Sequence, residues 1–153
     1  MTISIYKWFC LTIGLRKRGQ GLRESGAFLI AKAGSSKIST IVFYDELDSE
    51  AFKSGIIVLN GLGHAKLGEI LNETKSEVIA DVHTHPVGCS TRQSDSDQKH
   101  PMSRLKGHIA FIAPNYALKR FLMPWDCSSY LYQGSFHWQT LKEKSFPLKL
   151  TLI

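Results

Sequence analysis

Apolar residues in this chain come in short runs broken by Gly, Pro and polar stretches, and the runs differ in period. Residues 5–18 read as a first helix, with Ile5, Trp8, Phe9, Ile13 and Leu15 keeping a rough helical stripe. Arg16, Lys17 and Arg18 suit its C-terminus, where positive charge meets the negative end of the helix dipole, and Gly19 and Gly21 stop it. The alternation of Ile3 and Ile5 allows a short strand before it. Residues 26–32 are apolar enough for a buried strand. Gly34, Ser35 and Ser36 make a turn, and 38–44 return as the second arm of a hairpin.

Further along, 45–54 is acidic and polar and reads as a loop, and 56–59 as a short third strand. Asn60 and Gly61 mark a turn into a second helix, 62–72, whose expected apolar face is Leu62, Ala65, Leu67, Ile70 and Leu71. The run 78–82 is a buried strand, ended by Pro86. Another, 108–113, is closed by Pro114 and Asn115. Two short strands, 130–132 and 136–138, join at Gln133 and Gly134. The tail, 141–153, mixes lysines with apolar residues and reads as a last strand or a partly ordered segment.

The 153 residues suit a single domain, 1–153, and 43% hydrophobic with 21% charged residues is an ordinary globular balance. No run reaches the ~18 apolar residues of a membrane span, so no membrane partner is expected. The N-terminal segment carries its charge after its apolar part and lacks a small-residue cleavage site, unlike a signal peptide. Cys10, Cys89 and Cys127 are odd in number and widely spaced, which fits reduced thiols and a cytoplasmic location. The net charge of +6 raises the question of nucleic acid. The basic residues are mostly dispersed, and neither an RNP-like motif nor a zinc-finger pair is present, so no nucleic-acid partner is expected.

The chemistry concentrates in VIADVHTHPVGCSTRQSDSDQKHP. Alternate residues of a strand face the same way, so His83 and His85 aim their imidazoles together. A carboxylate returning from the following loop can supply a third ligand. Two His and one carboxylate, with a fourth position open to water, is the catalytic form of a zinc site. Hydrolysis at such a site also needs a carboxylate to take and return a proton. Glu24, just before a buried strand, is one candidate, although spacing alone equally allows an exposed loop residue.

Glu24 followed two residues later by Gly and an apolar strand, then His83-x-His85-Pro, then Ser94-x-x-Asp97, resembles the JAMM motif of the MPN-positive (JAB) metalloproteases. GHIAFIAP resembles the strand after the metal loop in bacterial members and DQKHPM the turn after the aspartate, while RESGAFLIAK, VFYDELD and EVIADVHTHP together resemble bacterial JAB proteins of antiphage operons, which also encode E1-like and E2-like enzymes. The resemblance spans about residues 5–138. It implies an α/β fold, with a mixed, curved sheet of about six strands and one main helix on each side. It implies zinc bound by His83, His85 and Asp97, Glu24 as general base and then acid, and Ser94 as hydrogen-bond donor to the oxyanion. The expected reaction is hydrolysis of the peptide or isopeptide bond after the C-terminus of a ubiquitin-like protein.

The spacer from His85 to Ser94 is one residue longer than in most members of that family. Asp95 is therefore a rival third ligand, and Ser90 and Ser96 are rival oxyanion donors, but only Ser94 and Asp97 keep the Ser-x-x-Asp spacing. Cys89 reads as loop packing, His100 and His108 as structural histidines, His64 as solvent-facing, and Trp8, Trp125 and Trp138 as core or interface anchors. Arg92, Lys99 and Arg104 are either solvated charges or contacts for a substrate tail. Rival functions are a hydrolase of small peptides or sulfur-carrier adducts of the same fold, and a non-catalytic MPN scaffold.

Overall fold

The computed structural model describes residues 1–141 and 146–152. Helix α1 (Ile5–Gly19) follows a short strand β1 (Thr2–Ser4), and Ser4 caps it by accepting from the Lys7 amide at 3.2 Å. Its buried stripe is Trp8, Leu11, Thr12, Leu15 and Gly19, whereas Ile13 is 47% exposed and Ile5 and Phe9 are half-buried. The expected stripe was thus rotated. The spacing 8, 11, 12, 15, 19 follows one helix face, and Ile13 lies off it. The helix ends at Gly19, and the left-handed turn that closes it is made by Gln20, with Gly21 also at positive φ.

Strands β2 (Gly26–Lys32), β3 (Ile38–Phe43), β4 (Ser76–Thr84), β5 (Ile109–Ala113), β6 (Ser128–Gly134) and β7 (His137–Leu141) form one mixed sheet in the order β3-β2-β4-β5-β6-β7. The β4–β5 pair is parallel and the other pairs are antiparallel. Register shifts at Leu29/Ile30 and Ile30/Ala31 break both ladders of β2, the kind of irregularity that bends a sheet. Strand β8 (Lys149–Thr151) pairs in parallel with β1, which accounts for part of the expected tail strand; residues 142–145 and 153 lie outside the described residues.

Alternation along β2 divides the core. Ala27 and Leu29 join Trp8, Leu11 and Leu15 of α1, while Phe28 and Ile30 join a second cluster with Tyr44, Phe52 and Leu67. That second cluster is covered by α3 (Gly61–Thr74), so a helix lies on each face, as expected. Among the described residues no helix is long and apolar enough to cross a membrane.

Three expectations need correction. Tyr44, placed at the end of a strand, opens a short helix α2 (Tyr44–Leu47) inside the supposed approach to a loop, and Ala51 and Phe52 beyond it are buried. Glu46 accepts from the Phe43 amide at 3.1 Å, a capping bond that turns the acidic stretch helical. Segment 56–59 joins no ladder of the sheet. Ile57 and Leu59 pack on the second cluster instead, and Ile56 and Val58 face outward. In α3, Leu62 is 81% exposed and Ala65 is exposed, while Gly63 and Leu67 face inward. A Cβ on Gly63 would stand 2.6 Å from the Leu59 side chain, so the helix turns its bare position to that contact.

Gly26 is constrained in the same way. A Cβ there would lie 2.3 Å from the Tyr44 ring and 3.0 Å from the Val82 carbonyl oxygen. Overpacking of this kind costs about 1–3 kcal/mol. Gly26→Ala is therefore expected to lower the Tm by several degrees in thermal unfolding. Gly68→Ala, in α3 with nothing within 4 Å, is expected to raise it, by up to about 1 kcal/mol of helix propensity.

Candidate metal centre

The site is assembled by β2, β4 and the loop after β4. In the β2–β4 ladder Gly26 stands opposite His83 and Phe28 opposite Asp81. Just past the ladder, the Ser25 amide donates to Thr84 Oγ1 at 2.9 Å and the Thr84 amide donates to the Ser25 carbonyl at 2.9 Å. Ser25 is fully buried and its hydroxyl donates to the Leu15 carbonyl of α1 at 2.9 Å. Glu24 thus emerges at the His85 end of β4, on a segment clamped to both the sheet and α1.

His83 and His85 are each 7% exposed, and their ring centroids are 5.2 Å apart. The loop after them is pinned to the sheet and to the turn after β5: the Tyr130 hydroxyl donates to the Thr91 carbonyl at 2.9 Å, and the Gly88 amide donates to Asn115 Oδ1 at 3.0 Å. It then enters a short helix α4 (Asp95–Lys99), capped by Ser94. Ser94 Oγ accepts from the Asp97 amide at 3.1 Å, and Asp97 Oδ2 accepts from the Ser94 amide at 2.7 Å. This reciprocal cap turns Asp97 back to the histidines. Asp97 Oδ1 lies 3.5 Å from His83 Nε2 and Oδ2 lies 3.3 Å from His85 Nε2.

His83, His85 and Asp97 present one ligand atom each within 4.8 Å of one another, and they could hold a metal ion. The separations test the fit. They exceed a normal N–H···O bond, and His83 Nε2 is buried without a hydrogen-bond partner among the described residues. A tetrahedron with bonds of about 2.0–2.1 Å to nitrogen and oxygen has edges of about 3.3–3.4 Å, close to both distances. His85 Nδ1 lies 2.8 Å from the Ser90 carbonyl, which can only accept, so that nitrogen carries the proton and Nε2 faces Asp97. The donor set is therefore of the right chemistry and spacing to close on a shared metal ion.

Asp95 is exposed and outside this group; Asp97 meets both histidines. Ser90 and Ser96, the other serines weighed, differ in place: Ser90 gives its carbonyl to His85 and its hydroxyl oxygen to the Arg92 amide, while Ser96 lines the cavity. That cavity, of about 870 Å³, also has Glu24, His83, Ser94, Asp97 and Trp138 in its walls. His64 and Arg104 are exposed at its walls, and so is His100, which is not the satisfied structural histidine expected. Arg92 and Lys99 are exposed as well. Cys89 is exposed rather than packed, and Trp125 is 62% exposed, whereas Trp8 is a core anchor.

Charge at the site is set by enclosure. Burial raises the Glu24 carboxyl, Asp97 raises it further, and His83, His85 and the Ile57 amide oppose the rise without cancelling it. Without a metal, burial opposes a charged His83, but the carboxylates of Asp81 and Asp97 outweigh it and push its pKa up to about 10. His85 is raised as well: burial again opposes the charge, and Asp97 and the Ser90 carbonyl prevail. Asp97 is held well below the usual carboxylate range, burial opposing and the two imidazoles prevailing.

No protein-family model matches the chain. Solved structures do. A JAB1/MPN domain protein from Archaeoglobus fulgidus aligns over 99% of this chain and 97% of its own, at 16% identity and TM-score 0.52. The chain has the fold of a JAB1/MPN domain. A Desulfitobacterium hafniense protein solved in solution aligns over 98% of this chain and 92% of its own, at 13% identity and TM-score 0.68. A Salinibacter ruber protein aligns over 97% and 96%, at 11% identity and TM-score 0.56. Identities this low establish the fold alone.

Sequence reasoning passed over Asp81, which is 2% exposed behind His83. The signal was present: a carboxylate inside an apolar run, in the same period-2 register as His83 and His85.

A metal entering the group at neutral pH must displace the proton on His83, whose metal-free pKa is about 10. Calorimetric titration of metal-free protein with zinc chloride, in buffers of different ionisation enthalpy, is expected to register release of at least about one proton at pH 7. Affinity is expected to rise by at least about tenfold per pH unit near neutrality and to level off as the pH passes about 10. Binding without proton release would contradict this arrangement.

Proposed function

We propose that this protein is a zinc-dependent metallopeptidase that cleaves the peptide or isopeptide bond following the C-terminus of a ubiquitin-like protein. The observation that carries the reading is that Glu24, from a segment far upstream in the chain, shares one cavity with His83 and Asp97 of the His83–His85–Asp97 group. A bare scaffold of this fold has no need of a half-buried carboxylate facing three metal donors.

His83, His85 and Asp97 would hold the zinc. When bound, it supplies a Lewis acid that polarises the scissile carbonyl and eases deprotonation of water, whose pKa at such a centre falls to about 7. Glu24 takes the proton from the attacking water and delivers it to the leaving amine nitrogen. Its carboxyl, raised by burial, is a stronger base than an exposed glutamate and a competent acid after it has gained the proton. Ser94 uses its oxygen to accept from the Asp97 amide, which leaves its hydroxyl proton free to donate to the oxyanion. Ile56 and Val58 offer an exposed apolar wall beside the cavity, suited to an extended tail laid alongside. The cellular setting that fits is the cytoplasm of a bacterium that conjugates a ubiquitin-like modifier with E1-like and E2-like enzymes, where this protein would mature or remove the modifier.

Glu24→Gln is expected to lower the turnover of a ubiquitin-like conjugate by about 10²–10⁴ while the protein retains its zinc. Ser94→Ala is expected to cost about 10²–10³ in kcat. Both are read by gel-based cleavage of the conjugate alongside metal analysis. A Glu24→Gln protein that keeps zinc and cleaves at the wild-type rate would remove Glu24 from the mechanism.

A further inference from the structure

Behind His83 lies a polar cluster that the reaction described above does not use. Asp81 sits in mid-β4, between Phe28 of β2 and Ala110 of β5. Its Oδ1 is 2.6 Å from His108 Nε2, its Oδ2 accepts from the Tyr44 hydroxyl at 3.2 Å, and the same Oδ2 lies 3.5 Å from His83 Nδ1. His108 and Tyr44 are both buried, and His108 Nδ1 has no partner among the described residues.

His108 Nε2 at one oxygen and the Tyr44 hydroxyl at the other thus hold the Asp81 carboxylate in place. Oδ2 of that carboxylate faces His83 Nδ1 across 3.5 Å, longer than a normal hydrogen bond, so it favours a proton on that nitrogen through its charge. Stability gives no reason for such a cluster, because apolar side chains of similar volume in place of buried charged groups are often neutral or stabilising. Tyr44 reaches Asp81 by laying its ring across Gly26, the position where a Cβ would collide with it.

We propose that Asp81, held by Tyr44 and His108, is a positioning residue that keeps the proton of His83 on Nδ1 and so turns its Nε2 lone pair to the metal. The inference rests on the metal-centre reading above. Carboxylates behind metal-bound histidines typically contribute 10- to 100-fold in affinity. The test is zinc affinity of the full chain by competition with a chromogenic chelator, with the ¹⁵N–¹H imidazole spectrum of the zinc-loaded protein as a second readout. Asp81→Asn is expected to weaken zinc about 10- to 100-fold and to shift or abolish the His83 Nδ1–H signal. Tyr44→Phe and His108→Gln are expected to weaken it several-fold, and they carry the test if Asp81→Asn does not fold. Folded variants that bind zinc as tightly as wild type, with the His83 signal unmoved, would overturn the proposal whatever their Tm. Wild-type protein that binds no zinc would overturn the metal-centre reading itself, and this inference with it.

Discussion

The pairing of β2 with β4 is the constraint on which the site depends. It sets Gly26 against His83 and, through the Ser25–Thr84 bonds, delivers Glu24 to the end of the strand that carries both histidines. A one-residue slip would turn every side chain of β4 to the opposite face and bury Val82 where His83 now stands. The slip is opposed by the core on each face. Ala80 and Val82 pack with α1, while Phe28 and Ile30 pack with Tyr44 and Leu67. Hydrophobic sorting between the two faces is therefore what aligns the polar groups.

The polar groups carry a charge pattern that burial alone would not permit. Asp81, His83 and His85 are nearly enclosed, and Asp97 is partly so. In the metal-free protein the carboxylates raise both histidines, His83 up to about 10, and the histidines in turn lower Asp81 and Asp97. Burial strengthens every one of these interactions, which is why an enclosed position suits acid–base chemistry. Glu24, facing the same cavity, moves the other way: its carboxyl is raised rather than lowered.

Much of this was legible in the sequence, for reasons tied to particular residues. The histidines stood out because a period-2 pair follows an apolar run, and a strand's alternation is local. Ser94 and Asp97 were legible twice over, since Ser-x-x-Asp is also the spacing of the reciprocal cap that starts α4. Long-range register is not local, so spacing left Glu24 undecided; only the fold brings it to His85. The misread helix faces share a cause. Ile13 and Leu62 are apolar but exposed, and the inward positions include Gly14 and Gly63, whose lack of a side chain makes room for Phe43 and Leu59. A pattern built on apolar residues misses contacts made by their absence. Asp81 was missed because a lone acid in a strand is read as an interruption, whereas the sheet places it directly behind His83.

The central claim is that His83, His85 and Asp97 share one zinc ion. X-ray absorption at the zinc edge of the purified, zinc-loaded protein tests it most directly. The account predicts one zinc per chain in a shell of nitrogen and oxygen at about 2.0–2.1 Å, with the outer scattering of two imidazoles, lost in a His83→Ala/His85→Ala protein. A sulfur shell near 2.3 Å, which would implicate a cysteine such as the exposed Cys89, or a zinc spectrum unchanged by loss of both histidines, would contradict it.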